Sequence, residues 1–189
     1  IGPNDSKVGF SSLNQTIHQW FPGNFTLYNI TDLGSLLPLG IALFFAILGL
    51  IEWVQRKKVM NVDKNILALG ICYLLTFTIY AFFEFVVINR RPVLIDGVLE
   101  ASYPSSTTIL SLVILTTCID QAIIYIKNKY LKYFCIGLSG VYALFLVVGR
   151  IVSGVHWASD IIGAMLISAA LIFTYFGLKS LLIEKLKTE

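Results

Sequence analysis

Five apolar runs dominate the chain, each close to the length that crosses a bilayer. They are Leu33 to Val54, with Glu52 its only charge; Ile66 to Ile88, with only Glu84; Thr107 to Ile126, with only Asp120; Tyr133 to Val148; and Ala158 to Leu178, with Asp160 near its start. A helix of about 20 such residues spans the hydrocarbon core. The fourth run is short and is predicted to draw in Leu131 or Gly149. Charged residues make up 13% of the 189, about half of the roughly 25% usual for a soluble domain. Hydrophobic residues reach 57% and mean hydropathy is +0.80. The predicted fold class is therefore all-α, a polytopic transmembrane helix bundle with five spans. A net charge of +3 gives no reason to expect nucleic acid as a partner. Cys72, Cys118 and Cys135 all fall inside apolar runs and read as buried small residues, with neither disulfide nor metal spacing.

Charge in the loops sets a predicted orientation. Arg56, Lys57, Lys58 and Lys64 lie between the first two runs, Lys127, Lys129 and Lys132 between the third and fourth, and Lys179, Lys185 and Lys187 after the fifth. These regions share one face, predicted to be cytoplasmic by the positive-inside rule. Residues 1–32 and the loops 89–106 and 149–157 share the other. Arg90, Arg91 and Arg150 sit there against the rule, and binding of an anion explains them better than topology.

Chemistry concentrates on that second face. In Gly149–Asp160, His156 precedes Asp160 by four residues, which predicts one helical face with the carboxylate holding one ring nitrogen. The other nitrogen is then free to attack an electrophile. Arg150 adds a planar fork suited to phosphate oxygens. Arg90 and Arg91 bring two more. Pro104 and the hydroxyl cluster Ser105, Ser106, Thr107 and Thr108 signal a helix start whose free N–H groups suit an anion.

These residues resemble the type 2 phosphatidic acid phosphatase family of membrane phosphatases, which shares an active-site plan with vanadium haloperoxidases. The family carries Lys-x6-Arg-Pro, Pro-Ser-Gly-His and Ser-Arg-x5-His-x3-Asp. Arg150, His156 and Asp160 match the third motif, with Gly149 where Ser is usual. Pro104 and Ser105 match the second, with Ser106 for Gly and Thr107 for His. Arg91 and Pro92 match the first, with Glu84 at the Lys position. The resemblance covers roughly residues 33–178. It implies a six-span fold, so that a sixth span would precede Ile1, and hydrolysis of a lipid phosphate at the extracytoplasmic face of a membrane. Together with the Lys-, Ile- and Asn-rich composition, it points to a bacterial plasma membrane. It also implies that His156 attacks phosphorus, that Asp160 orients it, and that Arg91 and Arg150 neutralise phosphoryl oxygens. Ser105 and the N–H groups of Ser106 and Thr107 would add hydrogen bonds, and no metal or other cofactor is implied.

The departures bear on substrate. Thr107 cannot protonate a leaving oxygen as the family's His does, and losing a general acid costs on the order of 10²–10⁴ in rate. A phosphate leaving group suffers least, so a lipid diphosphate such as a polyprenyl diphosphate is the expected substrate. A family member that binds a lipid phosphate without turnover is the alternative. Glu84 lies seven residues before Arg91, predicted two turns away on one helical face. Two roles stay open for it: the missing acid, or a partner that positions Arg90 or Arg91. Asp96, Glu100 and Tyr103 are further carboxyl or hydroxyl groups in reach of such a site.

Residues 1–32 form a separate predicted segment ahead of a membrane domain at 33–189. Leu13, Ile17, Trp20 and Phe21 have near-helical spacing, suited to a helix lying at the membrane surface or packed on the bundle. His18 reads as an interfacial polar residue. Asn4, Asn14, Asn24 and Asn29 each begin an Asn-x-Ser/Thr triplet, which carries meaning only in a secretory pathway.

Overall fold

The computed structural model describes residues 2–188, with side chains as far as Glu184. Seven α-helices follow in order: α1 Ser11–Trp20, α2 Phe25–Gly34, α3 Leu36–Arg56, α4 Lys64–Phe85, α5 Ser106–Tyr125, α6 Lys129–Val152 and α7 Ala158–Thr188. The described residues contain no strand beyond two isolated antiparallel bridges, Arg90 with Ala101 and Ile95 with Val98. Five helical stretches are long and apolar enough to cross a membrane. The protein is an all-helical integral membrane bundle.

Capping residues set the starts. Asp63, Ser105 and Asn128 each present a side-chain oxygen to the free N–H groups of α4, α5 and α6. Apolar content alone misplaces several ends. The fourth run extends to Lys129–Val152, and the fifth continues through Lys179 and Glu184, good helix formers that hydropathy discounts. The first run begins within α2, which passes into α3 at Ser35 in a helical conformation, so Phe25–Arg56 is one stretch of 32 residues. The second run overreaches. α4 stops at Phe85, and Val86–Ile88 are non-helical although apolar and β-branched.

α5 forms the centre of the bundle: 61% of its apolar window is buried, against 11% for the α2–α3 stretch. Ile109, Val113 and Ile114 of α5 meet Leu69 and Cys72 of α4 and Ala164, Leu171 and Tyr175 of α7, with Ala42 of α3 alongside. In a bilayer such contacts act through close packing, which small residues such as Ala42, Ala68 and Ala164 permit. Cys72 is buried; Cys118 and Cys135 are only partly so, a correction to the expectation for those two, and all three thiols are free. Toward the lysine-rich end, Asp120 of α5 accepts from Lys179 at 2.7 and 2.8 Å and from the Tyr175 hydroxyl at 2.5 Å, joining α5 to α7. Lys185 and Lys187 lie outside the residues whose side chains are described.

The loops at the opposite end gather with residues 2–35. α1 packs there, but the residue it buries is polar. Asn14 has no exposed surface; it donates to Ser159 Oγ at 2.8 Å and accepts from Ser159 N at 2.9 Å. Leu13 and Trp20 stay exposed. A turn at 153–157 separates α6 from α7. Its Gly154 has φ +64°, and a Cβ there would collide with the Phe21 carbonyl oxygen, while Asn24 N donates to Ser153 O at 2.7 Å. Gly154→Ala is expected to cost roughly 1–2 kcal/mol for the left-handed conformation alone, with the collision added. A lower unfolding temperature in detergent, with faster proteolysis of residues 2–24, is the expected readout.

Candidate functional site

His156 does not share a helical face with Asp160. It sits in the turn before α7, and Asp160 lies in that helix's first turn. The two meet through a cap: Asp160 Oδ2 accepts from Trp157 N at 3.0 Å, while Asp160 N donates to Trp157 O at 3.0 Å. This reciprocal pairing resembles a capping box. It leaves Asp160 Oδ2 3.7 Å from His156 Nδ1, close enough to act as a charge but beyond hydrogen-bond length. The acceptor for Nδ1 is instead the Ser102 carbonyl, at 3.1 Å. A carbonyl only accepts, so Nδ1 carries the proton and Nε2 keeps its lone pair. Arg91 Nη1 lies 3.2 Å from Nε2 and donates to it.

The 86–105 loop supplies these partners. Arg91 N donates to Glu100 O at 3.1 Å and Ser102 N to Asn89 O at 2.9 Å, so the loop folds back on itself as an irregular hairpin. Asn89 Nδ2 donates to Asp160 Oδ1 at 3.0 Å, and Ser105 N to Asp160 O at 3.3 Å. Neighbouring residues in such extended backbone point to opposite sides. Arg91 turns inward and Arg90 outward, where it is exposed and donates to Leu99 O at 2.9 Å. Arg90 is therefore not part of the site.

A cavity of about 40 Å³ is lined by Tyr80, Phe83 and Glu84 of α4, Arg91, Ser102, Tyr103 and Ser106, with His156 among them. At roughly 10–15 Å³ per water, it takes a group about the size of a phosphoryl. Among the described residues the buried Ser102 hydroxyl and Arg91 Nε have no hydrogen-bond partner, although Arg91 Nε lies 3.0 Å from Glu100 Oε2 as an ion pair.

The other expected phosphate ligands lie beside the cavity. Ser105 Oγ serves as the α5 cap, accepting from Thr108 N at 3.4 Å and Thr108 Oγ1 at 3.0 Å. The Thr107 hydroxyl bonds Arg150 Nη2, which also pairs with Asp32 Oδ1 at 2.5 Å. Arg150 is 2% exposed, and its Nε and Nη1 have no partner. Its guanidinium carbon lies 4.9 Å from the Tyr28 ring centre and that of Arg91 lies 5.6 Å from the same ring. One aromatic face system thus holds two cations in the same neighbourhood.

Glu84 shares no helical face with Arg91, because α4 ends between them. The ion-pair partner of Arg91 is Glu100, and Arg90 binds a carbonyl. The expectation that Glu84 positions either arginine is overturned. Asp32, Tyr28, Asn89 and Ser102 carry structural weight that no motif announces. Among the described residues, no group of three His, Cys, Asp or Glu side chains is placed to hold a metal. No protein-family model, curated protein or solved structure matches this chain.

Burial pushes the His156 pKa below the usual imidazole value; Asp160 opposes this, and Arg91 and Arg150 reinforce it. His156 is consequently a neutral base at mildly acid pH. The linkage sign follows. Below about pH 6.5 the unfolded chain takes up a proton that folded His156 refuses, so its contribution to stability falls as pH drops toward the folded pKa. In a ¹⁵N-edited titration in detergent, His156 is expected to remain the Nδ1–H tautomer at pH 6, where an unperturbed imidazole is mostly protonated. A protonated ring at pH 6 would contradict the geometry.

Proposed function

We propose that this protein is an integral membrane phosphatase acting on a lipid phosphate or diphosphate, through a phosphohistidine on His156. The observation that carries the reading is the fixed imidazole: Nδ1–H tied to Ser102 O, and Nε2 at the wall of a phosphoryl-sized cavity beside Arg91. Among the described residues the buried Ser102 hydroxyl has no partner and suits a phosphoryl oxygen, and the Arg91 guanidinium, paired with Glu100 at 3.0 Å, supplies positive charge beside it. Attack by Nε2 leaves a phosphoimidazolium whose Nδ1–H stays on the Ser102 carbonyl. The Asp160 carboxylate, 3.7 Å away, offsets its charge. Arg150 contributes field rather than a direct ligand, since it does not line the cavity and Asp32 and Thr107 hold its Nη2. The type 2 phosphatidic acid phosphatase resemblance supports His156 as the nucleophile and Arg91 as a phosphate ligand, and differs over Arg150 and Asp160.

Size and setting support a lipid as the substrate class. The cavity accepts the phosphoryl group alone, and the exposed apolar side chains Phe77 and Phe82 of neighbouring α4 give an acyl or prenyl chain a surface. Lys57, Lys58, Lys64, Lys127, Lys129, Lys132 and Lys179 gather with Arg56 at the far end of the bundle, against Lys7 at the site end, so the positive-inside rule favours a site facing away from the cytoplasm. With Thr107 engaged by Arg150, that position supplies no acid. At neutral pH a diphosphate, whose leaving group is already a phosphate, should turn over faster than phosphatidate.

Phosphate release from polyprenyl diphosphate, phosphatidate and an aryl phosphate tests the reading in detergent. His156→Ala is expected to abolish release from all three. Arg91→Ala is expected to lower it by about 10²–10³, the usual loss when one oxyanion donor is removed. Lipid-phosphate binding without release by the unaltered protein would favour a binding role.

A further inference from the structure

Resting on the phosphatase reading above, we infer that Glu84 is the proton donor to the leaving oxygen and the base that activates water. A neutral nucleophile that expels an alkoxide needs an acid in the same cavity. The cavity-lining groups able to exchange a proton are few. His156 Nε2 is committed to phosphorus and Nδ1–H to Ser102 O. Arg91 does not titrate in this range. Tyr80 and Tyr103 are phenols, weaker acids than a carboxyl group. Glu84 is the cavity's carboxyl group. Glu100, which does not line the cavity, is held at 3.0 Å by Arg91, while Glu84 lies on a separate element and pairs with no cation among the described residues.

The charged and titratable groups facing Glu84 are Tyr80 on its own helix, Arg91 and Tyr103 on the loop, and His156 on the turn, with Asp32 of α2 acting on Tyr80. The steps balance. Nε2 forms a bond to phosphorus as the P–O bond to the lipid breaks, and its electron pair takes the proton of Glu84 to give the free alcohol. Glu84, now a carboxylate, accepts a proton from water as the water oxygen attacks phosphorus. The P–N pair returns to Nε2, phosphate leaves, and Glu84 is again protonated. Depressed protonation of His156 leaves the nucleophile neutral at the acid pH where a carboxyl group holds its proton. Phosphatidate turnover should therefore show an alkaline decline, as a rate that needs a general acid does.

Leaving-group dependence separates this role from a structural one. The pair of substrates is phosphatidate in detergent micelles, which must expel an alkoxide, and p-nitrophenyl phosphate, whose phenolate leaves unassisted. For Glu84→Gln, phosphatidate turnover is expected to fall by about 10²–10⁴ with loss of the alkaline decline. The first turnover of the aryl ester, read as the p-nitrophenolate burst that precedes attack by water, should stay within a few-fold, which also reports an intact site. An equal fall in first-turnover rate for both substrates, with vanadate affinity retained, would overturn the proposal, as would no fall for either. If Glu84→Gln loses vanadate binding, Glu84→Asp decides: a displaced alkaline decline supports the role and an unmoved one contradicts it. Absence of release from both substrates by the unaltered protein would instead remove the phosphatase reading, and this role with it.

Discussion

A carboxylate with no exposed surface holds the candidate site together. Asp160 takes a backbone N–H from Trp157 and the Asn89 amide, and its carbonyl takes Ser105 N. Those contacts join the start of α7, the 86–105 loop and the start of α5. Irregular backbone next to a bilayer must satisfy its polar groups within the protein. Two loops at one end of the bundle do so by closing on each other through Asp160. His156 is placed as a consequence. The cap that orders α7 sets its turn, and the closed loop delivers the Ser102 carbonyl to Nδ1.

A second buried ionic contact supports the first. Arg150, near the end of α6, reaches Asp32 on α2 and Thr107 on α5, and shares Tyr28 with Arg91. Three helices thereby meet around one guanidinium. Removing a partner from such a buried charge costs far more than the pair contributes. The positive field around His156 thus belongs to the fold, and it favours the neutral ring. An anion entering the cavity would meet Arg91 directly and Arg150 through space.

The apolar runs were readable in the sequence because a bilayer demands length and hydrophobicity, and all five helices lie where those runs predict. Ends were less readable. Val86, Val87 and Ile88 carry the hydropathy of a span yet fold as loop, which moved Glu84 and Arg91 onto different elements. The four-residue spacing of His156 and Asp160 predicted their proximity for the wrong reason: a helix cap joins them, not a shared face. Arg90 and Arg91 look equivalent as neighbours, and only the extended backbone separates their directions. Ser105 and Thr107 were read as ligands but cap α5 and hold Arg150. Asp32, Tyr28 and Ser102 belong to no local pattern, since their roles depend on segments distant in the chain. The motif residues drew attention to the turn at 153–157 and the 86–105 loop, while the partner of each side chain came from tertiary closure.

The central claim is that Nε2 of His156 takes the phosphoryl group before water does. Stereochemistry at phosphorus tests it without any variant. Transfer of an isotopically chiral phosphoryl group from an aryl ester to an alcohol acceptor reports the number of in-line displacements. Two displacements, through the histidine and then the acceptor, give net retention, which is the expected result. Net inversion would mean a single direct displacement and would contradict the role assigned to His156.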